Sequence, residues 1–316
     1  MSIFDHSFRD LMLGGDFSEV SRLDGTDFRQ TVPPEYRDEV ASIRGDLAKV
    51  LERDGEHEFT YRLPNGKFMR VTVVSHVHGG LTFWLRDPGP RRTFRDLLLP
   101  DPTKTAIMNR DLVGGVLIAG KMGQGKSATM RSALVARCEE FGRLVYLAED
   151  PQEADLDGQY GSGRIIQVPV ATNGGGYASA LKRGLRTGAD ELAVGEIRDG
   201  ACAYEAMQSA MNGNTLFATI HGESISKAIE RTVILAATHT ENAAAIVAHA
   251  LSAVLWQELR PAPGPHGEPA QLRLVSRFLI IQDNPNIQAN IKASRFEAIA
   301  QFVDDQRTQG LYGQAI

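Results

Sequence analysis

Cysteine is scarce: Cys138 and Cys202 are the 2 in 316 residues, and they form no C-x-x-C pair. That excludes a disulfide framework and a cysteine-based zinc site, so no zinc is expected and a reducing cytosol is the expected home. Long apolar runs are missing too. None approaches the ~18 residues that a membrane span needs, so no direct membrane insertion is expected, and association with a membrane would run through a partner. The opening stretch MSIFDHSFRD is charged throughout and lacks the apolar centre of a signal peptide. Nor is there an excess of positive charge, since Lys+Arg 34 against Asp+Glu 39 leaves a formal net charge of -5. With no patch interleaving basic and aromatic residues, no direct nucleic-acid binding is expected. There is no internal repeat and no low-complexity segment.

What is present is enough apolar material, 42% of the chain, for two modest cores. From Pro33 to Asp54, Tyr36, Val40, Ile43, Leu47, Val50 and Leu51 recur at steps of three and four, which predicts an amphipathic helix. The period then changes. EFTYRLPNGKFMRVTVV reads as two strands joined at Pro64-Asn65-Gly66, and GGLTFWLRD adds a third with Leu81, Phe83 and Leu85 on one face. Asp87 to Arg92, DPGPRR, has the composition of a linker. Beyond it, short apolar runs alternate with helical segments: VGGVLIAG, RLVYLAED, RIIQVPV, ELAVGE and TLFATIH. Such runs suit strands of a parallel sheet buried on both faces. AVLWQEL and LRLVSRFLII, flanking RPAPGPHGEP, suit an antiparallel hairpin, and helices close the chain. The expected organisation is an α+β domain with its linker over residues 1–92 and an α/β nucleotide-binding domain over 93–316.

Gly120-Lys121-Met122-Gly123-Gln124-Gly125-Lys126-Ser127 fits the P-loop pattern G-x-x-x-x-G-K-[ST] at every fixed position. Glycines let backbone N–H groups converge on phosphates, and the helix that follows adds its N-terminal dipole. Lys126 would reach the β- and γ-phosphates and the Ser127 hydroxyl would hold Mg²⁺, with Gly120, Gly123, Gln124, Gly125 and Ala128 completing the cradle. The context fits, because an apolar strand precedes the loop and Met130, Leu134, Cys138 and Phe141 follow in helical step.

A P-loop needs acid at a second strand end. LVYLAEDP ends in Glu149-Asp150 and LAVGEIRD in Glu196, where ligands bind in open α/β sheets. Read alone, Glu149 before Asp150-Pro151 also suits a turn, and Glu196 a solvated acid after a strand. Two such acids beside one P-loop weaken both bland readings. His221 closes a further strand, NTLFATIH, and falls at the same rim; a lone histidine is more often structural.

These pieces resemble the secretion ATPase superfamily, which holds pilus retraction motors, type II secretion ATPases, and conjugation and type IV secretion ATPases. GKMGQGKS looks like its Walker A, YLAEDPQE like its acidic box, ELAVGEIRD like its Walker B and FATIHGES like its histidine box, in family order. The likeness runs from GKFMRVTV through TFWLRDPGPRRTFRDLLLP to FLIIQDNPNIQANIKASRF. It implies a small N-terminal α+β (PAS-like) domain followed by a RecA-like P-loop ATPase domain with C-terminal helices. By the same resemblance Glu149 polarises the attacking water, Glu196 supports Mg²⁺ or shares that task, and His221 senses the γ-phosphate, with Thr219 on the same strand end. Arg70 and Arg86 match arginines that relatives project toward a nucleotide. Both lie out of phase with the meander's apolar positions, although arginines so placed are ordinarily just solvated.

The resemblance further implies ATP and Mg²⁺ as cofactors, a homohexamer, inner-membrane secretion or pilus platform proteins as partners, and a cytoplasmic protein peripheral at the inner membrane. Asn214 stands where the histidine box opens with a second histidine. Where retraction motors carry A-I-R-N-L-I-R, the chain reads NIQANIK, which tilts the expectation toward a secretion or conjugation ATPase. A RecA-like nucleic-acid translocase and a non-catalytic nucleotide-binding assembly subunit are the alternatives.

Overall fold

The alternation of apolar residues in the first ninety positions builds an antiparallel sheet. A computed structural model describes residues 2–77, 80–87, 92–170, 174–262 and 271–312. They divide into two units, one of Met1–Pro90 with Pro151–Asp155, the other of Arg91–Asp150 with Leu156–Ile316. In the linker expected at Asp87–Arg92, residues 88–91 lie outside the described residues, as do residues 263–270 of the Pro/Gly-rich connection.

The first unit contains β1 (Asp10–Leu13), β2 (Ser18–Ser21), β3 (Arg29–Thr31), α1 (Arg37–Asp54), β4 (Glu58–Arg62), β5 (Phe68–Ser75) and β6 (Leu81–Arg86). The strand order is β3-β2-β1-β6-β5-β4, every pair antiparallel. α1 buries Val40, Ile43 and Leu47, the stripe expected from the sequence, in one core with Leu11, Leu13, Met69, Val71, Phe83 and Leu85. The helix stops at Gly55, whose φ of 69° is the left-handed cap that glycine adopts without a Cβ penalty. The β4–β5 turn uses Gly66 at φ 86° and is braced by Asn65 Oδ1, which accepts from the Lys67 N–H. The sequence reading anticipated this meander and its helix but not β1, β2 and β3. Those strands have 4, 4 and 3 residues, too few for a period to register, and β1 is buried at every position.

The second unit holds α2 (Asp101–Ile107), β7 (Gly114–Gly120), α3 (Lys126–Phe141), β8 (Leu144–Glu149), β9 (Gly158–Tyr160), β10 (Gly163–Pro169), α4 (Gly176–Gly184), β11 (Glu191–Val194), α5 (Gly200–Met211), β12 (Thr215–His221), α6 (Ile225–Ala237), α7 (Ala243–Ala250), β13 (Leu251–Ala262), β14 (Gln271–Ile280), α8 (Pro285–Lys292) and α9 (Ile299–Tyr312). One sheet runs β14-β13-β7-β12-β11-β8-β10-β9. From β13 to β10 the neighbours are parallel, while β9 and β14 close the two edges antiparallel. Each apolar run expected to be a strand is one. β7, β8, β11 and β12 are buried almost throughout, but β10 is buried only at Gly163 and Ile165 and exposes Arg164 and Ile166, because it lies next to the short edge strand β9. Leu117 and Ala119 of β7 share a core with Leu181 of α4, Met207 of α5, Ile229 of α6 and Val247 of α7. Val116 and Ile118 point to the other face by alternation, and α3 packs there across β7, β8, β10 and β12. This is a RecA-like P-loop arrangement following a PAS-like sheet unit, with α8 and α9 as the C-terminal helices.

One buried ion pair anchors α3. Arg137, fully buried, meets Glu191 at 2.7 Å and donates through Nη1 to the carbonyls of Ile107 and Asn109. Removing one partner of such a pair typically costs about 3–5 kcal/mol, because the other charge stays buried. The pair therefore fixes the axis of α3, and with it the P-loop at the helix's N-terminus.

Candidate nucleotide-binding site

The turn from β7 to α3 can form only because glycine stands at its sharp points. Gly123 and Gly125 take φ of 75° and 77°, in the left-handed region. At Gly120 a Cβ would meet the Gln257 carbonyl of β13 at 2.5 Å, so side chains are excluded there by close approach. Lys126 opens α3, and its Nζ donates to the Lys121 carbonyl at 3.0 Å, spanning the loop it closes. Ser127 is half-buried beside it, and Ala128 is exposed. Gln124 differs from a simple cradle residue. Its Oε1 accepts from the Leu259 N–H at 2.5 Å and its carbonyl accepts from Gln257 Nε2 at 2.7 Å. Its side-chain oxygen is thus tied to β13, which holds the loop against that strand.

The sheet register carries the two acids and the histidine to the same edge. His221 pairs with Gly120 across β12 and β7, beside the first glycine of the loop. β11 ends at Val194, and Glu196 follows two residues later, its Oε1 2.8 Å from His221 Nε2. Its Oε2 accepts from Arg198 Nε at 2.9 Å. Arg198 also donates to the Asp150 carbonyl at 3.1 Å, which links the ends of β11 and β8. Thr219 donates to the Gly195 carbonyl at 2.5 Å and so helps shape the turn before Glu196.

Glu149 ends β8 and is 2% exposed. Its Oε1 accepts from Arg131 Nε of α3 at 2.9 Å, and its Oε2 from Gln167 Nε2 of β10 at 2.6 Å. At Gly195 a Cβ would come within 3.3 Å of the Glu149 side chain, so the two strand ends approach closely because β11 is followed by glycine.

The field at this edge is readable in His221. Partial burial lowers its basicity first and the Lys126 charge lowers it further, while Glu196 opposes the shift. A neutral imidazole with its proton on Nε2 donates to Glu196 and keeps Nδ1 as an acceptor. The two cysteines are buried and free, and burial pushes each thiol up to about 12, although Cys202 Sγ lies 3.9 Å from the Glu196 carbonyl.

A hydroxyl at the first turn of α3 and a carboxylate after a strand are hard oxygen donors. Mg²⁺ takes one or two such protein groups and completes its shell with phosphate oxygens and water. Ser127 and Glu196 fit that donor set. Among the described residues no group of three or more His, Cys, Asp or Glu side chains could hold a metal ion unaided.

Arg70 and Arg86 belong to the first unit, where β5 and β6 make them cross-strand partners. Arg86 Nε donates to Asp10 Oδ1 at 2.7 Å, and Arg70 bonds Glu153 at 3.3 Å and Glu58 at 3.5 Å. They are therefore paired with carboxylates, not merely solvated, and both lie on the sheet face away from Val71 and Leu85.

A family model described as type II/IV secretion system protein matches residues 102–307. The chain belongs to the type II/IV secretion system protein family. The twitching motility protein of Neisseria gonorrhoeae is 26% identical over 275 residues, 86% of this chain and 71% of that protein. The type IV pilus retraction ATPase PilT of Pseudomonas aeruginosa is 26% identical over 257 residues, 79% of this chain and 73% of that protein. Among solved structures, a pilus retraction motor PilT with bound ADP superposes with TM-score 0.76 at 23% identity, covering 95% of this chain and 86% of that one. The ATPase DotB of Legionella pneumophila superposes with TM-score 0.74 at 19% identity, covering 93% and 84%. These two superpositions establish the fold.

Within this family member, sequence reasoning missed Arg131, Gln167 and Arg198. A signal existed for the first. Arg131 lies four residues after Ser127, hence on the same face of the P-loop helix. Gln167 follows two isoleucines in β10 as a polar residue, but only the β8–β10 pairing brings it to Glu149.

Proposed function

We propose that the protein is a Mg²⁺-dependent ATPase that works as a homohexameric ring and drives a type IV secretion, conjugation or type IV pilus machine. The observation that carries this reading is the convergence of a P-loop, Glu149, Glu196 and His221 on one sheet edge. Lys126 and the loop N–H groups would hold the β- and γ-phosphates, while Ser127 and Glu196 would hold Mg²⁺. The metal supplies charge neutralisation on the transferred phosphoryl group. Glu149 would orient the attacking water and accept its proton, and neutral His221 would report on the γ-phosphate. Arg70 and Arg86 would leave their carboxylate partners to meet charge in transfer, within one subunit or from a neighbour.

The protein would act in the cytoplasm, peripheral at the inner membrane through platform proteins. No helix among the described residues is long and apolar enough to cross a membrane. Residues 1–92 and 93–316 would move against each other as hydrolysis proceeds. The test is steady-state phosphate release from ATP with and without Mg²⁺, alongside the mass of the assembly in solution. Turnover that needs Mg²⁺ in a six-subunit particle is expected. Absence of turnover under all conditions overturns the enzyme, and a stable monomer under turnover overturns the ring.

A further inference from the structure

Glu149 carries more than a strand-end position. A carboxylate at 2% exposure is costly unless its charge is paired and its oxygens are bonded. Arg131 supplies the charge at 2.9 Å, and Gln167 supplies the second bond at 2.6 Å. Gln167 is itself fixed. Its Oε1 accepts from the Leu156 N–H and its own backbone N–H donates to Asp157 Oδ1, both at 2.9 Å. The carbonyl end of its amide is thereby occupied, so the NH₂ end must face Glu149.

An ionised carboxylate has about four acceptor sites, two per oxygen. Arg131 uses one on Oε1 and Gln167 one on Oε2, which leaves one on each oxygen in a fixed orientation. Two donors on different elements therefore immobilise the group without exhausting it. Arg131 sits one turn beyond Ser127 on α3, so the helix that closes the phosphate cradle also aims the carboxylate.

We infer that Arg131 and Gln167 are positioning residues for ATP hydrolysis, holding Glu149 in the orientation that receives the attacking water. The inference rests on the reading of Glu149 given under the proposed function. An immobilised base contributes when the transition state forms, not when substrate binds. Loss of either donor therefore lowers kcat and leaves KM for ATP nearly unchanged, which a merely structural role would not select.

The experiment compares kcat and KM for ATP in the full chain and in Glu149→Gln, Arg131→Gln, Arg131→Lys, Gln167→Leu and the double variant Arg131→Gln/Glu149→Gln. Glu149→Gln is expected to lose roughly 10²-fold in kcat. Arg131→Gln and Gln167→Leu should each lose about tenfold or more with KM within about threefold, and Arg131→Lys should regain part of that loss. The double variant, which buries two neutral amides and so keeps the site folded, should be no slower than Glu149→Gln, because the arginine acts only through the glutamate. Wild-type kcat in Arg131→Gln, or losses that multiply in the double variant, overturn the positioning role. Should Glu149→Gln itself turn over normally, the reading of Glu149 fails, and that outcome is distinct from a slow Glu149→Gln beside a normal Arg131→Gln.

Discussion

The ends of β8 and β11 each present a glutamate to the same sheet edge, yet the two environments differ. Glu149 is held at 2% exposure between an arginine of the P-loop helix and a glutamine of the neighbouring strand. Glu196 is 20% exposed, and its partners are His221 and the half-exposed Arg198. A buried, doubly held carboxylate keeps one geometry. A rim carboxylate bonded to partly exposed groups can exchange partners, as the proposed function requires of Glu196. Glu149 is the last residue of β8 and Glu196 lies two beyond β11, and that step, with the difference in depth and partners, is what the proposed roles rest on.

The largest effect is expected where both strand ends depend on the same phosphate. Lys126→Ala should lower steady-state phosphate release by at least roughly 10³-fold, because the lysine meets charge that the backbone meets only partly. Near-normal turnover would overturn the assignment of this loop as the phosphate cradle. Arg70→Ala and Arg86→Ala carry the comparison to the first unit and should lower kcat on the order of 10³-fold, more than they weaken nucleotide binding. Mixing Arg86→Ala with Lys126→Ala subunits should restore part of the activity if the arginine serves a neighbour. No recovery on mixing confines it to its own subunit.

The two glutamates can then be set against each other. Glu149→Gln should bind Mg²⁺ and ATP but lose roughly 10²-fold in turnover, since an amide accepts no proton. Glu196→Gln should instead raise the Mg²⁺ concentration needed for half-maximal rate, by about tenfold, as one of few protein ligands is neutralised. A Mg²⁺ titration of both variants decides it, and a reversed pattern exchanges the two roles.

The smallest effect concerns His221. The folded protein holds this imidazole less basic than the unfolded chain does, through burial and the nearby Lys126. As pH falls below about 6.5 the unfolded chain therefore takes up the proton first, and stability present above that pH is lost on acidification. Melting temperature between pH 7.5 and 5 should fall more for the wild type than for His221→Gln. The difference should be modest because the side chain is 32% exposed. Parallel melting curves would mean that the surrounding charges do not act on His221 as described.

How much of this could be read from the chain depends on where the information is stored. The P-loop is legible because glycine spacing and a lysine-serine pair encode backbone shape locally. The strand-end acids are legible because a parallel strand buried on both faces is a continuous apolar run, and its end is where polarity returns. Short strands carry no such record. β1, with all four residues buried, has no alternation to detect, and β2 and β3 are recognisable only once paired. Gln124 illustrates a subtler limit: its place in the motif says cradle, whereas its side chain answers to Leu259, 135 positions away.

The sequence by itself determined the nucleotide cradle, the longer strands and the α1 stripe, each from a local pattern, and the family from several such motifs in order. Only the tertiary structure decided which partner each charged group took: Arg131 and Gln167 for Glu149, His221 and Arg198 for Glu196, Asp10 for Arg86. Arg198 stands two residues from Glu196, but strand order and register bring the other pairs together across 18 to 76 positions. A charge buried in that setting must find a partner, but nothing in the local pattern names which one.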